Sequence, residues 1–438
     1  GAMPTIPLTA GLMLAVLLPV AQGQTIFRPA TAGCAMAHCD STMSDRSAMP
    51  PLLTNDVAVL AHDIFSAGSG KGLGCVSNGS TAACSYQSKF GDSVIAYDAT
   101  GRRLWTSGSL LNRNAYTSAP MIDADGNVIA ADDTHLIQFG PDGSVVWQTA
   151  TAGGIPISPV QTAAGTIFLA THGGPVSIHD PSNGALLNSL YLYLDGSSDY
   201  FETANTPCAI NNRVFVSTQL HQDTTNGRLY ALDIDPNDPL QPIKVAWYWP
   251  FKAPSGASPT CIGNTVYFDG AGFIPGGLTA PSLFALRDDG DHPTMLWAQS
   301  VRSKIPASVA SDPRGGIWVI SAQYPKVQRR RLDTGAVVDS YNLNSVIGDG
   351  WLYQPSSALT ISGTSTQPVL TLGVSGVNNP FTYVVAIDLV ARQVLWKQSL
   401  CSFNDQTAGQ FPTVQTADGK PIVVFSTWKY GAYFVGQP

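Results

Sequence analysis

Short apolar runs recur along this chain with a fixed internal grammar. From about residue 118 each unit opens on a small residue or Pro, continues as an apolar strand, turns at Gly or Asn, and returns as a second apolar strand. It closes on an apolar-Ala-apolar-Asp run, a Gly turn and often a Trp. Ala119-Pro120-Met121-Ile122-Asp123-Ala124-Asp125-Gly126-Asn127-Val128 aligns with Ser158-Pro159-Val160-Gln161-Thr162-Ala163-Ala164-Gly165-Thr166-Ile167. Pro207-Cys208-Ala209-Ile210-Asn211-Asn212-Arg213-Val214 and Pro259-Thr260-Cys261-Ile262-Gly263-Asn264-Thr265-Val266 repeat it, and further copies begin near Pro306, Pro355 and Pro412. The starts fall 39 to 57 residues apart, the length of a four-stranded propeller blade with variable loops.

The closing halves carry the pattern furthest. Ala96-Tyr97-Asp98-Ala99-Thr100-Gly101 with Trp105 is matched by Ala231-Leu232-Asp233 with Trp247, Ala285-Leu286 with Gly290 and Trp297, and Ala386-Ile387-Asp388 with Trp396. Looser copies are Gly140-Pro141-Asp142-Gly143 with Trp147, Asp180-Pro181-Ser182-Asn183-Gly184, and Leu332-Asp333-Thr334-Gly335. Alternation sends one residue of each pair between neighbouring sheets, Asp and Gly set the hairpin, and the Trp covers the gap to the next sheet. A two-sheet sandwich array would give similar alternation but not a Trp at this period.

The Ala-x-Asp-x-x-Thr-Gly-x-x-x-Trp pattern resembles the pyrroloquinoline-quinone-like (PQQ-like) propeller repeat, from about Ser93 to the end. The resemblance implies an all-β, eight-bladed propeller of four-stranded antiparallel blades, with seven blades as the alternative. Seven hairpins can be counted, followed by a partial blade at 412–435 with three strands. A strand at Asp56–Leu60 is expected to complete it and close the ring, leaving no free sheet edge. The organisation is therefore a tag scar and leader at 1–23, an irregular Cys/Met/His arm at 24–55, and the propeller at 56–438.

Composition supports turns over helices. Charged residues are 12% against about 25% in an average protein, while Gly numbers 42 and Pro 31. A net charge of −7 gives no basic field for nucleic acid. The apolar stretch Leu8–Val20 before Ala21-Gln22-Gly23 reads as a signal peptide, although no basic residue precedes it, and is too short to span a bilayer comfortably. No later segment suits a transmembrane helix, so a periplasmic or extracellular location is expected. Seven cysteines fit an oxidising compartment. Cys75 with Cys84, and Cys208 with Cys261, are the expected bridges, which leaves Cys34, Cys39 and Cys401.

Two places carry candidate chemistry. The loops leading into the first strand of each blade ring one channel mouth and hold Arg113, Tyr116, Glu202, Lys252, Arg302, Lys304, Asp349, Trp351, Tyr353, Asp405 and Gln410. Cations around an aromatic could clamp a polycarboxylate there, with Asp349 or Asp405 taking a proton; the plain reading is solvated loop residues. The second place is Cys34-Ala35-Met36-Ala37-His38-Cys39-Asp40-Ser41-Thr42-Met43-Ser44-Asp45. Cys34, Met36, His38, Cys39 and Met43 form a soft donor set suited to copper or to haem iron, with His62 as a further ligand if the arm folds back. The competing reading is a Cys34–Cys39 disulfide with the Met side chains packed on the propeller rim, or an intermolecular thiol.

The PQQ-like resemblance implies either a quinone-dependent dehydrogenase of alcohols or sugars, or a binding propeller of the outer-membrane assembly kind. The adjacent Cys-Cys pair of the dehydrogenases is missing, which argues against pyrroloquinoline quinone, and no Cys-x-x-Cys-His for covalent haem occurs. The leading expectation is an envelope binding or scaffold protein with a protein partner or small ligand. The alternative is a redox protein holding copper or haem in the arm.

Overall fold

The computed structural model describes residues 26–64, 74–88, 91–203, 205–223, 225–251, 257–270, 282–301, 308–321, 325–377, 381–403 and 407–438. The leader expected at 1–23 lies outside them. Eight antiparallel sheets follow one another around a ring. Seven come from single stretches of chain, 75–106, 121–150, 160–190, 208–251, 260–299, 310–342 and 353–403, which we number blades 1 to 7. Blade 8 combines Thr413–Gln415, Pro421–Thr427 and Gly431–Gly436 with Ala58–Asp63, which pairs antiparallel to Gly431–Gly436. The closing strand sits slightly downstream of the expected Asp56–Leu60. Its far end is anchored to blade 1, where Asp63 accepts a hydrogen bond from the Tyr97 hydroxyl at 2.8 Å and pairs with Arg103.

The repeat motif has a direct physical reading. In each of blades 1 to 7 the outermost strand carries one extra residue at the same place, as between Ala96 and Tyr97 in blade 1 and between Ala386 and Ile387 in blade 7. Such a bulge adds twist. The motif Ala then faces the Trp directly: Ala96 opposite Trp105, Ala231 opposite Trp247, Ala285 opposite Trp297, Ala386 opposite Trp396. A methyl opposite an indole leaves the large ring free to lean onto the next blade, where it meets the turn glycine. A Cβ on Gly143 would lie 2.8 Å from Trp105, and one on Gly184 would clash with the edge of the Trp147 ring. Several indoles also reach across: Trp247 donates to Asp288 at 2.8 Å and Trp297 to the Leu332 carbonyl at 2.7 Å. Thr-Gly in one repeat and Trp in the preceding one are thus two halves of a single joint.

Both expected bridges form. Cys75–Cys84 joins paired residues of the first two strands of blade 1. Cys208–Cys261 links the innermost strands of blades 4 and 5 across a sequence separation of 53; closing so long a loop removes about 4 kcal/mol of unfolded-chain entropy. The Arg329-Arg330-Arg331 run around the end of the third strand of blade 6 is only partly solvated. Arg329 pairs with Asp312 and Arg331 with Asp333, but Arg330 is buried and donates to the Gly335 carbonyl.

Candidate functional site

Converging innermost strands leave their outer edges unpaired, a row of N–H and C=O groups facing the axis. In this protein the N-terminal arm fills that axis. Its carbonyls at Ala35, Ser41, Thr42, Ser44 and Asp45 accept from the N–H groups of Ile122, Ala209, Cys261, Ser311 and Ile361, one in each of blades 2, 4, 5, 6 and 7, at 2.6 to 2.8 Å. Cys34 and Ser77 exchange a pair of bonds with blade 1, Gln161 of blade 3 donates to the Phe27 carbonyl, and Gln410 of blade 8 donates to the Met36 carbonyl. One segment therefore touches all eight blades.

Pointing successive carbonyls outward around a circle is not something extended or helical backbone does. The arm achieves it with left-handed residues: His38, Cys39, Met43 and Asp45 have φ of 55°, 77°, 55° and 51°. Each costs of order 1 kcal/mol or more and persists only where its surroundings hold it. Three devices hold it here. Cys34 and Cys39 are bonded to each other, Asp40 accepts from the backbone and hydroxyl of both Thr42 and Ser44, and the Asp45 N–H donates to the His38 carbonyl at 2.9 Å.

These contacts lie at the downstream halves of the innermost strands. Their upstream ends surround a recess of about 200 Å³ whose floor is Ala37 and His38. Its wall repeats a small polar residue blade by blade, with Thr117, Ser158, Thr206, Ser258 and Ser308 followed by Gln410. Ser158, Thr206 and Ser258 each precede a Pro. Proline is tolerated there because the innermost strand is an edge strand, and small side chains are needed because eight strands crowd one axis. Gln410 is not free, since its amide also donates to the Cys75 carbonyl at 2.9 Å.

At the floor, His38 Nδ1 lies 2.9 and 3.0 Å from the two oxygens of Asp45, and Nε2 lies 3.3 Å from the Ser308 hydroxyl. The Asp45 side chain is fully buried and that of His38 is 14% exposed. Burial works to lower the imidazole pKa, but the charge and hydrogen bond of Asp45, with Asp40 further off, outweigh it and raise it above the ordinary value. Burial likewise raises the Asp45 carboxyl more than His38 lowers it.

The donor set read from the arm is placed as follows. Cys34 and Cys39 are bonded to each other, the competing reading of this pair, which leaves no free thiolate at either position. Met36 and Met43, 2% and 0% exposed, pack into the main apolar core with Phe27 and Phe215, so they line the axis rather than the rim. His38 is taken by Asp45. His62 lies on the closing strand, where it bonds the Tyr430 carbonyl and stacks on Tyr433 at 3.9 Å. Among the described residues no cluster of His, Cys, Asp and Glu is arranged to hold a metal ion.

Only some of the channel-mouth candidates fall among the described residues. Lys252, Arg302, Lys304 and Asp405 lie outside the described residues, as does the side chain of Cys401. Among those described, Arg113, Tyr116, Glu202, Asp349, Trp351 and Tyr353 do not line the recess. Glu202 is buried and holds His221 at 2.9 Å and His172 at 3.4 Å. Asp349 joins Tyr353 of the first strand and Lys397 of the last strand of blade 7, and the lysine holds its carboxyl below the ordinary range against the opposing effect of burial. Trp351 is 44% exposed. Of the recess lining, sequence reasoning names His38 and Gln410 but misses Thr117, Ser158, Thr206, Ser258 and Ser308, although Ser/Thr-Pro at three repeat starts was a signal. Asp45 gave none, because only the reversed turn between 38 and 45 brings it to His38.

These features define a class: a closed eight-bladed ring, plugged by its own N-terminal segment, with an axial recess above the plug. The family model described as outer membrane protein assembly factor BamB matches residues 61–280. The chain belongs to this PQQ-like propeller family. No curated protein sequence matches the chain. Similar solved structures include BamB from Moraxella catarrhalis, 13% identical over 87% of this chain and 98% of that one, with a TM-score of 0.50. The quinohemoprotein alcohol dehydrogenase from Comamonas testosteroni is 12% identical over 92% of this chain and 80% of that one, with a TM-score of 0.64. The C-terminal WD40 domain of Sif2 is 10% identical over 88% and 99%, with a TM-score of 0.56. At such identities the likeness speaks for the fold alone.

Proposed function

We propose that this chain is an exported propeller of the cell envelope that works by binding a protein partner, and that the partner docks on the outer face of blade 4. The observation that carries this reading is an aromatic platform that breaks the symmetry of the ring. Among the described residues blade 4 alone has six strands, because Leu192–Tyr193 and Tyr200–Glu202 extend it. Around this hairpin Tyr191, Tyr193 and Tyr248 are 38%, 54% and 39% exposed. Tyr191 stacks on Tyr193 at 5.6 Å and packs edge-on against Tyr200 at 5.3 Å. The Arg228 guanidinium lies 4.5 Å over Phe201 and 4.0 Å over Tyr248, with the exposed Asp195 carboxylate 3.9 Å away.

Tyrosine and arginine dominate the energetics of protein interfaces because they present large area at little entropy cost. Rings already locked against one another lose still less on binding. The disulfides support an oxidising compartment, and membership of the BamB family supports a binding role in the envelope. The test is a photo-crosslinking residue at Tyr193 in cells that make the protein. A discrete adduct there, absent from the same substitution at the 93% exposed Leu240, is the expected result. Equal background at both positions, or recovery of the protein from the cytosol with free thiols, contradicts the proposal.

A further inference from the structure

The binding role leaves the floor of the axial recess unexplained. The plug seals the ring through backbone carbonyls, a task that needs no ionisable side chain. Yet two such side chains are placed on it as a pair, on left-handed backbone at both positions. Burying a charged pair is at best neutral for stability when an apolar pair of similar volume could replace it. Their arrangement is directional. Asp45, wholly buried, faces Nδ1 of His38 with both oxygens, which fixes the tautomer with hydrogen on Nδ1. Nε2 then presents its lone pair to the Ser308 hydroxyl at 3.3 Å, across the floor of an open recess.

We infer that Ser308, His38 and Asp45 form a hydrolytic site for small carboxylic esters. The three groups stand in the order nucleophile, base and orienting carboxylate, a constellation defined by geometry and roles whatever the fold or chain order. The Ser308 oxygen attacks the ester carbonyl carbon while its proton passes to His38 Nε2. The carbon–oxygen bond of the ester breaks, the alcohol leaves with that proton, and the acyl group stays on Ser308. Water then attacks the acyl carbon, gives a proton to Nε2, and the carboxylic acid departs as the proton returns to the serine oxygen. The net change is ester plus water to acid plus alcohol. Asp45 is a positioning residue, held by its own N–H to the His38 carbonyl and by its carbonyl to the Ile361 N–H. Thr206 and Ser258 line the same recess, and their hydroxyls are donors of the kind that stabilise a developing oxyanion. A recess of about 200 Å³ is below the usual size of a drug-sized ligand site, so the acyl group is short, of acetyl to butyryl length.

The experiment uses a fluorophosphonate, which forms a covalent adduct only with an activated serine, alongside hydrolysis of p-nitrophenyl acetate by the purified full chain. The expected result is an adduct mapped by tandem mass spectrometry to Ser308, with ester turnover that the adduct abolishes. Ser308→Ala, an almost isosteric change in a folded ring, should lose both. His38→Gln should slow labelling by about 10⁴-fold. Asp45→Asn should lower turnover while leaving the thermal midpoint within a few degrees, a split that a purely structural role does not produce. Absence of a Ser308 adduct under conditions that fully label a known serine hydrolase overturns the inference, as does an adduct on another serine. Both results are independent of crosslinking at Tyr193.

Discussion

The ring and its axis are built on opposite rules. Around the ring neighbouring blades meet through local joints, among them an indole seated on the next blade's turn glycine at Trp105–Gly143, Trp147–Gly184 and Trp297–Gly335, so a fault stays between two blades. Along the axis a single unrepeated segment bonds to all eight blades at once, so a fault there is felt everywhere. The difference shows how a repeat protein acquires a unique site. Symmetry supplies a crowded polar recess, and the one asymmetric strand of chain through its centre supplies the side chains that make it particular.

The comparison breaks most visibly if the plug is removed. Deleting residues 26–49 while keeping the closing strand strips six edge N–H groups of their partners, those of Ser77, Ile122, Ala209, Cys261, Ser311 and Ile361, at about 1 kcal/mol each. It also takes away the buried side chains of Phe27, Met36 and Met43, worth about 2 kcal/mol apiece. A loss on the order of 10 kcal/mol matches the whole stability of a typical domain. The truncated chain should be insoluble, or melt at least 20 °C lower by circular dichroism. A near-native melt would show that the ring stands without its axis.

A ring joint gives a smaller and more local effect. Gly184→Ala, at φ of +73°, drives a methyl into the Trp147 indole, whereas Gly263→Ala, at φ of +61°, meets open space. The second should lose only the cost of left-handed backbone, about 1 kcal/mol. The first should lose roughly 2 to 4 kcal/mol in chemical denaturation, since an overpacked core adds about 1 to 3 kcal/mol. Equal losses would remove the indole-on-glycine joint from the account.

The two regions also differed in how far they could be read beforehand. The blades were legible because a two-residue strand period, Asp-Gly turns and a recurring Trp are local signals that every copy reinforces. Even the strand borrowed from the N-terminal side was placed within a few residues. The arm was not legible in the same way. Cys34, Met36, His38, Cys39 and Met43 stood out as chemistry, but their neighbours in space come from blades hundreds of residues away. Thus the Met side chains, expected on the rim, are core, and the sulfurs, open to either reading, are a staple. The His38 partners, Asp45 and Ser308, depend on a left-handed turn and on ring closure. Asp349 fails to reach the recess for the converse reason: it is taken up within its own blade by Lys397 and Tyr353.

The central claim is that the N-terminal segment is the inner layer of the ring. Amide hydrogen exchange at Ile122, Ala209, Cys261, Ser311 and Ile361, each donating to an arm carbonyl, tests it most directly. The account predicts that these five amides exchange as slowly as those in the middle strands of their blades, released only by global unfolding. Exchange on the timescale of exposed turns, with the middle strands still protected, would show an axis open to water and contradict it.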